Sequence, residues 1–243
     1  MRRAFRSRLP SSVHRLVVAW RRLRRPAPAS GAFGGLEPFS RVWGLDRGTP
    51  INRYYVDRFL RAHAADVRGS VLEVGDPRYT HEFGGDRVTR SEVVHLIPGN
   101  PQATLVGDLA TGRGLPEGAF DCLIVTFTLL LIYDVRGAIA TCARLLKPGG
   151  VLLAHFAGVE KTAPADPSYE GDYWRFTSRS ARRLVEEAFP AEGVTVEVFG
   201  NVLAASASLY GLSAEEVGAT ALDHRDADYE VATCVRAVRP VAS

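Results

Sequence analysis

Cysteine is scarce in this 243-residue sequence: Cys122, Cys142 and Cys234 are the three present, all within apolar stretches. Their spacing fits neither a zinc motif nor a disulfide framework, so they read as reduced, buried thiols of a cytoplasmic protein. No run of about 18 apolar residues occurs, which excludes a helix that spans a bilayer. Acidic residues are absent from positions 1–25, which carry nine arginines, whereas the rest of the chain holds 21 basic against 27 acidic residues. An acidic body argues against a nucleic-acid partner, whose phosphates would demand a basic face. Glycine numbers 23, yet only Gly75 follows directly on the first apolar strand, and no internal repeat is present.

The length supports one sizeable core, and the 46% hydrophobic and 23% charged fractions are those of a globular domain with appendages. Leu9, Val13, Leu16, Val17, Trp20 and Leu23 recur at helical spacing, with arginines on the remaining faces and Pro26-Ala27-Pro28 as the stop. Residues 1–25 therefore read as a basic amphipathic helix or tail. As a helix it could rest on an anionic membrane surface at the inner face of the membrane; as a tail it would be solvated or docked on a partner. It has neither the long apolar core nor the cleavage site of a secretory signal, and a transit peptide would carry more serine. Residues 26–35 form a Pro/Ala/Gly linker, 36–66 an N-terminal helical cap with its helix between Thr49 and Ala65, and 67–243 the main domain.

In the main domain, Gly69 to Asp76 is an apolar strand closed by glycine, and Val88 to Leu96, Ala103 to Leu109, Phe120 to Phe127 and Val151 to His155 come next as strands two to five. A helix from Val135 to Leu146 leads through Pro148-Gly149-Gly150 into the fifth. Ser178 to Phe189 has helical spacing with Thr177 or Ser178 as N-cap, Val194 to Phe199 alternates as a strand should, and Tyr229 to Val238 is its neighbour. These elements predict an α/β fold of five βα-type steps followed by two strands close to the end. Ligands of such folds bind at the carboxyl ends of the strands.

The blocks Val71-Leu72-Glu73-Val74-Gly75, Gly107-Asp108-Leu109, Phe120-Asp121-Cys122-Leu123-Ile124-Val125 and Leu146-Lys147-Pro148-Gly149-Gly150, in that order, resemble a class I S-adenosylmethionine-dependent methyltransferase with a Rossmann-like fold. A narrower resemblance lies in Asp172-Tyr173-Trp174-Arg175, which is similar to a subgroup linked to glycan and cell-envelope biosynthesis. The resemblance implies a seven-stranded, mostly parallel sheet with an antiparallel last strand and helices on both faces, S-adenosyl-L-methionine as cofactor, no metal, and a sugar, glycolipid or related small metabolite as the acceptor, methylated on oxygen.

It also implies roles for residues. Glu73, Gly75 and Asp76 would start the cofactor loop, Glu92 would accept from the ribose hydroxyls, Asp108 from the adenine amino group, and Thr126 would lie beside cofactor and acceptor. A carboxylate is an acceptor and each of these ligand groups a donor. Glu92 also sits about 20 residues after the first turn, the Rossmann spacing, although an ordinary exposed acid on a strand edge would look the same. Gly75-Asp76-Pro77-Arg78-Tyr79 departs from the family by offering one glycine where several are usual. Gly84-Gly85 could supply the missing tight turn, with Asp76 or Arg78 touching the cofactor tail, or the site could have decayed into that of a scaffold protein. Tyr169, Tyr173, Trp174 and Arg175 read either as a substrate platform or as a lid, with Arg175 on an acceptor anion or paired with Asp172. His155, at the carboxyl end of the fifth strand, then Asp172 and His81 are the candidate general bases.

Overall fold

The computed structural model describes residues 35–164 and 171–241. The basic segment 1–25, nearly all of the linker and Tyr169 lie outside the described residues. One seven-stranded sheet is formed by β1 (Gly69–Val74), β2 (Val88–His95), β3 (Leu105–Val106), β4 (Phe120–Val125), β5 (Leu146–Ala157), β6 (Val194–Phe199) and β7 (Ala232–Val238), in the order β3-β2-β1-β4-β5-β7-β6. β7 runs antiparallel to both its neighbours and every other pairing is parallel. This is the expected Rossmann-like architecture.

The central strands carry apolar side chains on both sides because both sides are covered. On β4, Leu123 and Val125 join one core cluster while Cys122 and Ile124 join the other. The first cluster lies under α2 (Val135–Leu145) and α3 (Ser178–Glu186). The second lies under α1 (Ile51–Ala62) and α4 (Val202–Tyr210), so the helix expected as a cap packs on a sheet face. α1 turns Ile51, Tyr55, Phe59 and Leu60 inward, spaced as one helical stripe. All three cysteines are buried and free, and burial pushes the Cys142 thiol up to about 12.

Three features differ from the sequence reading, the first being that β3 is only Leu105–Val106 where the sequence predicts Ala103 to Leu109. β5 begins at Leu146, so Pro148-Gly149-Gly150 belongs to the strand: the Gly149 amide donates to Arg239 O (2.8 Å) and the Arg239 amide to Gly150 O (2.9 Å), zipping this stretch to the chain after β7. Three helices also stand between β6 and β7, namely α4, α5 (Ala214–Val217) and α6 (Ala219–Asp223). Asn201 ties the first of these helices to the last. Its Oδ1 caps α4 by accepting from the Ala204 amide (2.9 Å), and its Nδ2 donates to Ala221 O (2.8 Å) and His224 O (2.9 Å). Arg47 Nε reaches Glu216 from the other side (3.0 Å), fixing the segment before α1 to α5.

Losing a cap costs about 1 kcal/mol, and leaving the two part-buried carbonyls without their donor costs about another 1 for the pair. Asn201→Ala is expected to lower stability by about 2 kcal/mol, a fall of roughly 4–8 °C in Tm by differential scanning calorimetry. Asn201→Asp keeps the capping oxygen but turns a second acceptor onto the two carbonyl oxygens, so it should not recover the stability lost in Asn201→Ala. A loss below about 0.5 kcal/mol for the alanine variant would show that Asn201 does not tie α4 to α6.

Candidate functional site

β1 and β4 are neighbours in the sheet, with β2 on one side and β5 on the other. Their carboxyl ends therefore flank the topological switch point, where a crevice opens for a ligand. The connection from β1 to β2 is residues 75–87, enough for a wide helical turn at Thr80–Gly84 and a short one at Gly85–Arg87 but not for a full helix. Gly75 has φ +88°, and a Cβ built on it would find no atom within 4 Å. The chain thus turns in a conformation open to glycine and leaves clear space above its backbone.

Glu73, 2% exposed, fixes the path of this connection. Its carboxylate accepts from the Tyr79 amide (3.0 Å), the Thr80 amide (2.7 Å) and the Thr80 hydroxyl (2.7 Å). Burial raises its pKa to about 7, against the pull of those donors. Glu73 therefore organises the loop from beneath rather than offering its own oxygens to a ligand. Asp76 is exposed and accepts from the Arg78 amide (3.1 Å). Thr126, half-buried after β4, accepts at its carbonyl from the Thr128 hydroxyl (2.8 Å).

Glu92 is not where the sequence places it. It pairs in register with Leu72, whereas the Gly75 amide bonds to Val94 O, so Glu92 lies roughly 7–10 Å short of the strand end. Thr104 beside it, and then Arg90 (2.6 Å), hold its carboxyl below the usual range. The end of β2 instead presents His95, Leu96 and Ile97, the last two exposed. Asp108 does lie at the end of β3, where it accepts from the Ala110 amide (2.8 Å) and the Thr111 hydroxyl (2.8 Å). A carboxylate has about four acceptor positions, so it retains room for a further donor.

The segment after β5 is bound into the protein. Arg175 Nε donates to Glu160 O (3.2 Å) and Nη2 to Lys161 O (3.1 Å), while its guanidinium grips Asp172. Asp172 also accepts from the Ala163 amide (2.6 Å). Burial works to raise the Asp172 pKa, but Arg175 and that amide outweigh it and keep the carboxyl ionised. The Asp172 side chain, 1% exposed inside this pair, is no general base, while Arg175 is exposed with its guanidinium turned to protein oxygens. Trp174 is an anchor as well: its indole donates to Ile132 O (3.0 Å) and its ring packs on the core. Tyr173 is half-exposed, edge-on to Tyr133. His155 is 1% exposed, behind the Phe127 ring at 4.6 Å, and burial takes its pKa down to about 3. Enclosed and weakly basic, it supports Phe127 and is no general base either.

What the sequence did not reveal is a cavity of about 230 Å³ at the carboxyl ends of β4 and β5, roofed by the start of α1. Trp43, Leu45, Ile51, Phe127, Leu130 and Leu131 make most of its wall, with Asn52, Glu160 and Ser208 as polar points. Trp43 (φ 58°) and Phe127 (φ 52°) are the non-glycine residues held in the left-handed region among the described residues, and both line it. That backbone strain is stable only where the surroundings over-determine it, which is typical of ligand sites. Asn52 Oδ1 is buried with no hydrogen-bond partner in the protein, and the buried Trp43 Nε1 lies beside the Glu160 carboxylate, whose charged form it favours, without closing a well-formed hydrogen bond to Oε2. Burial raises the Glu160 pKa to about 7.

Residues 85–154 match a methyltransferase domain family. No curated protein matches the sequence. Among solved structures, the chain is similar to a possible exported protein from Bordetella parapertussis (18% identity, 92% of this chain and 79% of that one, TM-score 0.51). It is also similar to the [4+2]-cyclase SpnF (16%, 95% and 96%, TM-score 0.50). A third is phosphoethanolamine N-methyltransferase 2 of Haemonchus contortus, solved with phosphomonomethylethanolamine and S-adenosylhomocysteine (13%, 80% and 54%, TM-score 0.51). At these identities the likeness shows the fold, which hosts more than one chemistry.

Because the Glu73 pKa is raised from 4.5 to about 7 on folding, the folded state holds its proton more tightly, and stability is lost as pH rises through that window. Glu73→Gln carries no such proton, so its urea unfolding free energy should decline less than that of the wild type between pH 4.5 and pH 7. Parallel pH profiles would show that Glu73 titrates normally and does not hold the loop from a buried position.

Proposed function

We propose that this chain is an S-adenosylmethionine-dependent methyltransferase acting on a small-molecule acceptor. The observation that carries the reading is Gly75: a left-handed turn with clear space above it, at the switch point of a methyltransferase-like sheet. The matched domain over residues 85–154 supports it. The Gly75 backbone and Asp76 would hold the cofactor at the end of β1, with Thr126 across the crevice and Asp108 receiving the adenine amino group. When bound, the cofactor supplies an electrophilic methyl group on a sulfonium. The chain's part is to hold two reactants in line and keep water away, and that alignment can account for much of the rate.

The acceptor belongs in the cavity beyond Phe127, on the β4–β5 side. Its wall favours the small-metabolite arm of the sequence reading over a sugar or glycolipid, because hydroxyls around a sugar ring would lack partners against Leu45, Ile51, Leu130 and Leu131. Residues 1–25 would let the cytoplasmic enzyme rest on the inner face of a membrane. A second reading, a methyltransferase-fold binding or scaffold protein, is favoured by one feature: the end of β2 offers Leu96 and Ile97 where a ribose would meet an acid.

Isothermal titration of the full chain with S-adenosylhomocysteine separates the two. The enzyme reading expects a Kd of about 1–100 µM, roughly −8 to −5.5 kcal/mol. Gly75→Ala strains the backbone at φ +88° and puts a methyl group into the open space, so it should weaken binding at least about tenfold. No heat at several hundred micromolar ligand would favour the binding protein.

A further inference from the structure

We infer that Glu160 is the proton acceptor for a small, largely apolar molecule bearing one acidic hydroxyl, of the phenol or enol class, which seats between Trp43 and Phe127. The inference rests on the proposed methyltransferase reading for what happens after proton transfer, but the binding site itself stands on geometry.

Size comes first. An apolar cavity of about 150 Å³ admits a benzene ring. This one, at about 230 Å³, holds a single substituted ring and not an oligosaccharide. Its wall is second: two aromatic rings and a set of aliphatic side chains reward a planar apolar body, with Lys161 Nζ 3.5 Å from the Trp43 ring centroid holding that indole in place. The unpartnered polar atoms come third. Asn52, 3% exposed, keeps an unbonded Oδ1, and the Trp43 indole N–H and Glu160 Oε2, although neighbours, close no well-formed hydrogen bond with each other. An acceptor hydroxyl and one further polar substituent would satisfy them, where leaving them unpaired costs about 1–3 kcal/mol apiece.

Acidity then selects the hydroxyl. Burial raises Glu160 to about 7; Arg175 opposes this, Asp172 adds to it, and Lys161 and the Trp43 indole oppose it. Arg53 also lines the cavity, from the first turn of α1. A base of that strength lies about 3 units from a phenol near 10 and about 9 from a water-like hydroxyl near 16. The first gap is one a positioned base can bridge in a transition state. In the step itself the acceptor O–H bond breaks, its proton joins Oε2, and the electron pair stays on the acceptor oxygen for an alkylating sulfonium.

The test needs no cofactor. Binding of 4-methylphenol and of methyl glucoside to the full chain is measured calorimetrically at pH 5.5 and pH 8.5, for the wild type, Glu160→Gln and the cavity-filling Ala163→Leu. A carboxylate accepts the phenol proton more strongly than its neutral form, so the wild type should bind 4-methylphenol about tenfold tighter at the higher pH. Glu160→Gln should bind it with no pH dependence, Ala163→Leu at least tenfold more weakly, and methyl glucoside should bind at least tenfold more weakly to the wild type. Equal affinity for the two probes, or a pH dependence that survives in Glu160→Gln, would overturn the inference. Phenol binding of the expected kind without S-adenosylhomocysteine binding would leave the site standing and remove the methyltransferase reading; the reverse pattern would do the opposite.

Discussion

One buried carboxylate sets the shape of the crevice. With no room for a full helix between β1 and β2 and a single glycine at the turn, the loop has no stabilising repeat of its own. Glu73 supplies the order instead, by accepting from two consecutive amides and a hydroxyl. Tyr79 and Phe83 then face into the core beside Phe59 and Leu60 of α1, so the loop is gripped by the sheet from below and by the helix from above. Arg78 adds a weaker tie to Asp57 across the surface (3.6 Å). Gly75 can remain open because its neighbours, not its own contacts, keep the turn in place.

The second constraint is the strain carried by Trp43 and Phe127. Both rings are held in the left-handed region at the wall of one cavity, by unrelated parts of the chain. Phe127 is backed by His155, and Trp43 by Lys161. A side chain the sequence offered as a base thus becomes a prop, and the acid with an unsatisfied oxygen lies five positions further on, at Glu160.

The fold was legible wherever periodicity was strong. Val194–Phe199 alternates and is β6 to the residue, and the buried central strands appear as apolar runs because both faces are covered. α4 escaped because its sequence, Val202–Tyr210, has no polar face: Val202, Leu203 and Leu209 are exposed while Ala204 and Ala207 are buried. Asn201 before it and Gly211 after it, at φ 72°, were the cap signals that could have marked it. The site was less legible for a different reason. Spacing along the chain indicated Glu92, but the register of β1 against β2 decides its height in the sheet, and register is not written in one strand. Asp172 and Arg175 satisfy each other, a pairing the sequence already offered as one of two outcomes. Nothing in the sequence joins residues 43–53 to residue 160; only the packing of α1 over the ends of β4 and β5 does.

Hydrogen exchange over residues 75–84, with and without S-adenosylhomocysteine, tests the central claim most directly. A loop held by Glu73 and poised for a cofactor should already exchange slowly at the Tyr79 and Thr80 amides in the free protein, and slow further across this segment when the ligand is added. Exchange at the rate of an unstructured chain, unchanged by ligand, would contradict it.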